Sequence, residues 1–266
     1  MSARGQGRSR GASGGRSRGR DDLGGDQVEG RRAVRELLRA GRRRVRTVWL
    51  SADAERDALL DEIAELAGPA LRVAPQERVA AAARTDAHQG VVASATPLQP
   101  ADLDELLDDD SAFLVALDGV TDPRNLGAVL RVAETAGATG LVLPRHRSAR
   151  ITPTVTKAAA GAIEYVPVAL VSGIPAALER ASRVGVWSVA VDEHAEQTVE
   201  ALTVADQRVM VVFGAEGHGL ARLTRERCDI GVRIPMHGML ESLNVAAAAA
   251  VVCHAIAQRR DQHAAR

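Results

Sequence analysis

Apolar residues along this chain change their spacing in blocks, and the blocks divide it. In "VEGRRAVRELLRAG" Val34, Leu37 and Leu38 keep helical spacing and Gly41 stops the helix. "RRVRTVWLS" reads as a strand, "ERDALLDEIAELAG" as an amphipathic helix, and Leu71 to Val73 as a short strand. A helix near Gln76 to Ala83 and the strand "GVVASAT" complete a compact α/β unit over residues 26–95. The acidic, proline-containing stretch "PLQPADLDELLDDDS" reads as a linker over 96–110 with a short helix. From 111 to 266 the pattern becomes regular. Strand "AFLVAL" is followed by helix "NLGAVLRVAETAG", strand "GLVLP", helix "TPTVTKAAAGA", strand "EYVPVA", helix "IPAALERAS" and strand "VGVWSVAV". Then come "RVMVVFG", helix "LARLTRERC", "IGVRIP" and a long C-terminal helix. Such alternation predicts a parallel sheet flanked on both faces by helices.

Composition adds a charge asymmetry to this division. Residues 1–46 hold fourteen arginines against five acids, a net +9, and the formal total is zero, so the remainder is −9. The basic end is a candidate for nucleic-acid phosphates. Residues 1–25 have almost nothing to bury and should form a disordered Arg/Gly/Ser-rich tail. Either a solubilising tail or a loose RNA-contacting arm fits it. The five aromatics (Trp49, Phe113, Tyr165, Trp187, Phe213) are too few for a sheet that stacks bases. Cys228 and Cys253 lack metal-ligand spacing and read as buried free thiols. No metal site is expected. Without a long apolar run or a hydrophobic leader, the expected location is the cytoplasm, with no membrane contact.

In open α/β sheets ligands sit at the carboxyl ends of strands, and three of the loops there are unusual. "DGVTDPRNLGAVLR" places Asn125 where a helix N-cap belongs, with Arg131 nearly two turns on. "FGAEGHGL" carries Gly214, Gly217 and Gly219 around Glu216, and "IPMHGMLESLNVAAAAA" leads into an alanine-rich helix. Plain alternatives exist for each: Asn125 as a cap, Arg131 as a solvated helix residue, Glu216 as a helix-initiating acid. No G-x-x-x-x-G-K-[ST] occurs, and no G-x-G-x-x-G follows the first strand of the sheet, so the usual nucleotide motifs are missing.

Together the three loops resemble the motifs of the SpoU/TrmH family of RNA ribose 2′-O-methyltransferases, of the SPOUT class. "NLGAVLR" matches the first through Asn125, Gly127 and Arg131, "VVFGAEGHGL" the second through Glu216, and "IPMHGMLESLNVAAAAA" the third through Ser242, Leu243 and Asn244. "EGRRAVRELL" and "AHQGVVA" resemble the ends of the small substrate-binding domain found in the ribosomal-RNA members. One departure is "TKAAAGAIEYVPV", where many relatives have serine or cysteine before the Gly-Ala.

The resemblance implies a C-terminal trefoil knot, a feature otherwise nearly absent from proteins. It also implies S-adenosylmethionine held by Gly214, Ile234, Met236 and Leu243, and no metal. Catalysis would fall to Asn125, Arg131, Glu216, Ser242 and Asn244. A free guanidinium, with a reference pKa of about 12.5–13.8, is a poor base. Arg131 is therefore assigned to the target phosphate and the developing oxyanion, with Asn125 and Glu216 orienting it or the ribose. Ser242 and Asn244 would anchor the third loop and the substrate. The implied assembly is a homodimer with composite sites, and the implied target a guanosine of 23S ribosomal RNA. A transfer-RNA ribose, or non-catalytic RNA binding, is the alternative.

Overall fold

The structure is a computed structural model that describes residues 23–265; the expected tail lies, up to residue 22, outside the described residues. Two sheets organise the chain. The smaller lobe contains β1 (Gln27–Glu29), α1 (Arg31–Ala40), β2 (Val45–Ser51), α2 (Ala58–Ala67), β3 (Leu71–Ala74), α3 (Gln76–Ala82) and β4 (Val91–Ala95). Strand order is β1-β4-β2-β3, with β4 antiparallel to β1 and β2, and β2 parallel to β3. Gly41 closes α1 in the left-handed conformation (φ 62°), the stop that the sequence predicts. Asp57 accepts from Leu60 N (2.8 Å), so α2 starts at Ala58, not at Glu55. β1 has no counterpart in the sequence reading, because three residues ended by Gly30 (φ 92°) are too few to show a period. Val34, Leu37, Val48, Leu50, Leu60 and Ile63 pack between the sheet and α1 and α2. Each such side chain contributes about 1.5–3 kcal/mol by leaving water.

The larger lobe starts from α4 (Leu103–Asp108), the helix of the expected linker. It is not a loose connection: Leu103 and Leu107 are buried in one core with Leu114, Val142 and Leu178. Then follow β5 (Phe113–Asp118), α5 (Pro123–Thr135), β6 (Gly140–Pro144), α6 (Pro153–Ala158), β7 (Val168–Val171), α7 (Ile174–Arg183), β8 (Trp187–Val191) and β9 (Gln197–Thr198). The last elements are β10 (Val209–Gly214), α8 (Arg222–Arg227), β11 (Ile230–Arg233) and α9 (Val245–Ala264). The strands pair in the order β7-β6-β5-β10-β8-β11-β9, every pairing parallel. Side chains of α5, α6 and α9 fill the core on one face of this sheet, those of α4 and α7 the core on the other. The predicted α/β architecture, a parallel sheet flanked by helices with a small α/β lobe ahead of it, is therefore present. β9, two residues long, escapes the sequence pattern for the same reason as β1.

The lobes meet along α6 and the turn that follows it. Arg43 and Glu164, only 5% and 1% exposed, form an ion pair across the seam; Arg43 also donates to Gly25 O (2.6 Å) and Thr96 O (3.0 Å). Tyr165 Oη donates to Glu36 (2.7 Å) and Lys157 Nζ to Ala87 O (2.6 Å). Leu23 is buried, and Gly25 N donates to Ile151 O (2.9 Å), so ordered chain begins before the strands do.

Candidate active site

Asp118 at the end of β5 accepts from Thr224 Oγ1 (2.6 Å) and Ala221 N (3.2 Å), which ties the start of α8 to the central strand. Four residues on, Asp122 accepts from Arg124 N (2.8 Å) and Pro123 fills the first helical position of α5. This corrects the sequence reading of Asn125. It is not the N-cap but lies inside the first turn, buried, with its side chain free for another partner.

That partner is Asn244, whose Nδ2 donates to Asn125 Oδ1 (3.0 Å) and also to Glu216 Oε1. Its Oδ1 accepts from Ala246 N (2.9 Å) and caps α9. One side-chain amide thus joins all three loops. The capping bond fixes its orientation, and the two donated bonds pull Asn125 and Glu216 together.

Beside this amide opens a cavity of about 660 Å³, lined by Gly214, Glu216, Ile234, Met236, Ser242, Leu243 and Asn244 among others. Gly214 is indispensable to its shape. Ala215 and Gly219 exchange two backbone hydrogen bonds (3.1 and 2.9 Å), folding the loop back so that a Cβ on Gly214 would collide with the Gly219 backbone. Gly217 (φ 75°) and Gly219 (φ 61°) allow that turn. Residues 236–243 form no backbone hydrogen bond among the described residues, and Met239 and Leu240 are 98% and 80% exposed.

Arg131 does not join them. It is exposed on α5, is absent from the cavity wall, and its guanidinium has no partner among the described residues. The sequence reading in turn missed the loop after β8, where Asp192, Glu193 and His194 line the cavity and Asp192 pairs with Arg225. The rule that points to strand ends covered it, but it lacks the glycines that made the other loops conspicuous. Burial pushes the thiols of Cys228 and Cys253 up to about 12, so neither is a nucleophile near neutrality. Among the described residues no His/Cys/Asp/Glu group could hold a metal, and no helix is long and apolar enough to cross a membrane.

The sequence profile of the SpoU rRNA Methylase family matches residues 112–254. The chain belongs to this family. A second profile, RNA 2′-O ribose methyltransferase substrate binding, matches residues 27–101, the span of the small lobe. The chain is 44% identical to the 23S rRNA (guanosine-2′-O-)-methyltransferase RlmB of Ralstonia nicotianae, over 85% of this chain and 93% of the relative. It is 39% identical to the enzyme of that name from Pseudomonas putida, over 88% and 97%. The crystal structure of the SpoU methyltransferase AviRb from Streptomyces viridochromogenes in complex with AdoMet superposes with a TM-score of 0.74. At 24% identity over 89% of this chain and 90% of AviRb, it shows a shared fold.

Proposed function

We propose that the protein methylates a ribose 2′-hydroxyl of structured RNA, a guanosine of 23S ribosomal RNA, with S-adenosylmethionine as donor. The observation that carries this reading is the Asn244 amide, which gathers Asn125 and Glu216 at the rim of the cavity. The residues present suit the donor. Phe213, Ile234 and Leu243 offer apolar contacts for a purine, and the unpaired backbone of 236–243 offers donors and acceptors for its edge. The wall carries four carboxylates (Asp192, Glu193, Glu216, Glu241) against one arginine, Arg225, which pairs with Asp192, and the acidic surplus favours a cationic ligand. When bound, S-adenosylmethionine supplies an electrophilic methyl on a sulfonium. The chain's own part is alignment: Asn125 and Glu216 orient the ribose, Ser242 and Asn244 hold the third loop, and the Arg131 guanidinium receives the phosphate and the developing oxyanion.

Because Arg131 stands outside its own cavity, the reading completes the site from a second copy of the chain. α9 supports this. Ala247, Val251, His254 and Gln258 form an exposed stripe on it, and His254 reaches Thr135, one turn beyond Arg131 on α5, at 3.5 Å. The same reading takes 26–95 as the RNA-recognising domain and 111–266 as a knotted catalytic domain. Small side chains at the start of α9 favour close passage of the chain there.

Mapping 2′-O-methyl groups in 23S and transfer RNA with and without the protein tests the activity; a guanosine mark in 23S RNA is expected, and none in either RNA refutes the reading. Calorimetry should detect S-adenosylmethionine with the intact chain and lose it in Leu243→Arg. For the shared site, inactive Arg131→Ala and Leu243→Arg chains are mixed under subunit exchange. Activity should return in about a quarter of the sites, and a monomer in sedimentation removes the dimer.

A further inference from the structure

Between Glu134 and Glu164 the chain has no acidic residue, and within that interval the loop from β6 to α6 reads Arg145-His146-Arg147-Ser148-Ala149-Arg150. The loop leaves the sheet at the same edge as the candidate site. It is pinned along its length: Arg145 N donates to Val171 O (2.8 Å), Ser148 Oγ to Pro144 O (2.6 Å), Ala149 N to Val120 O (3.1 Å) and Ile151 N to Leu23 O (3.2 Å). Ala149 and Ile151 are buried, while His146, Arg147 and Arg150 are exposed. Small and apolar residues therefore anchor the loop and basic ones face water.

Two further observations concern the arginines. Arg147 takes a left-handed backbone (φ 58°), a conformation that glycine adopts freely and a residue with a Cβ does not. A loop serving only as a connection is better made with glycine there. Neither Arg147 nor Arg150 has an ion-pair or hydrogen-bond partner for its side chain among the described residues. In the small lobe Arg31, Arg39, Arg43 and Arg84 meet carboxylates, while Arg32 and Arg44 have no such partner among the described residues. Arg124, in the first turn of α5, is likewise exposed, and its side chain has no partner among the described residues.

The geometry points to Arg147 and Arg150, with Arg124 in the first turn of α5, as a phosphate-gripping track that leads RNA toward the cavity. The pinned loop is bonded to Leu23, which is buried in the larger lobe's core four residues ahead of β1, and to Val120, three residues ahead of α5. Guanidinium groups match phosphate oxygens in planar pairs, and a rigid backbone spares the ordering cost of presenting them. The proposal rests on the RNA methyltransferase reading and adds the residues that place the substrate.

The test uses the full chain and a 23S ribosomal RNA transcript. Arg147→Gly suits the left-handed backbone, so the Arg147→Gly/Arg150→Gln double variant should melt with the parent. Its log Kd against log salt slope should fall in magnitude by roughly 1.5, one phosphate per arginine. Its KM for RNA should rise about tenfold at low salt, with kcat at saturating RNA and S-adenosylmethionine binding unchanged. Arg183→Ala, on α7 across the sheet, should alter none of these. An unchanged slope and KM in the double variant overturns the track and leaves the loop to an acidic protein partner. A parent that binds the transcript but transfers no methyl overturns the functional reading instead, while the slope comparison still decides the arginines.

Discussion

The seam between the lobes and the rim of the cavity both border the larger lobe, yet they are built in opposite ways. At the seam every strong group is matched: Arg43 spends its donors on Glu164, Gly25 O and Thr96 O, and Tyr165 meets Glu36. At the rim, residues 236–243 have no backbone partners among the described residues, Met239 and Leu240 face water, and Arg131 has no counter-charge among the described residues. Folding pairs the charged and polar groups of the first region across the lobes. The backbone groups of the second region face water, with residues 237–243 all exposed. Within the rim Asn244 is the fixed point, since one side chain both caps α9 and holds Asn125 and Glu216.

The largest effect expected from breaking this contrast is at the seam. Arg43→Met leaves Glu164 as a buried carboxylate without its cation, which costs about 3–5 kcal/mol. Chemical denaturation should show that loss, and most of it should return in Arg43→Met/Glu164→Leu, where no charge is stranded. A single variant as stable as the parent would show that water reaches the pair. At the rim the effect should fall on catalysis. Asn244→Ala should lower kcat about a hundredfold while reducing stability by only about 1 kcal/mol, the worth of a cap. Asn244→Asp separates the two roles, because it keeps the capping oxygen but loses the donor and sets a second carboxylate beside Glu216. It should restore the melting temperature and not the rate; restored rate would make Asn244 purely a cap.

The sequence carries these two regions unequally. The small lobe's helices and longer strands follow from local signals, the Gly41 stop among them, and the alternation after residue 111 predicts the parallel sheet. All three motif loops do converge. What local signals could not supply is tertiary. Asp122 and Pro123 precede Asn125 and offer a better start to α5, but only the approach of Asn244 reveals why Asn125 is buried. Leu103 and Leu107 sit in an acidic stretch that reads as a linker until the large sheet covers them. The Arg43–Glu164 pair joins residues 121 apart, with nothing in either neighbourhood to announce it.

The smallest effect is also the cleanest readout of the seam. Tyr165 is the only tyrosine in the chain, so its ionisation can be followed by tyrosinate absorbance without interference from another. Burial first, then the hydrogen bond to Glu36 and its negative charge, push its hydroxyl up to about 12 from an ordinary value near 10. The folded protein therefore holds the proton more tightly than the unfolded chain. The stabilisation is fully present below pH 10 and is lost as pH rises through 12. Glu36→Gln removes the charge, leaves the side chain in place, and should bring the midpoint down toward 10. With S-adenosylmethionine in the cavity, as proposed, its binding should not change. A midpoint near 10 in the intact protein would mean that the seam admits water as freely as the rim does, and the contrast between the two regions would fail.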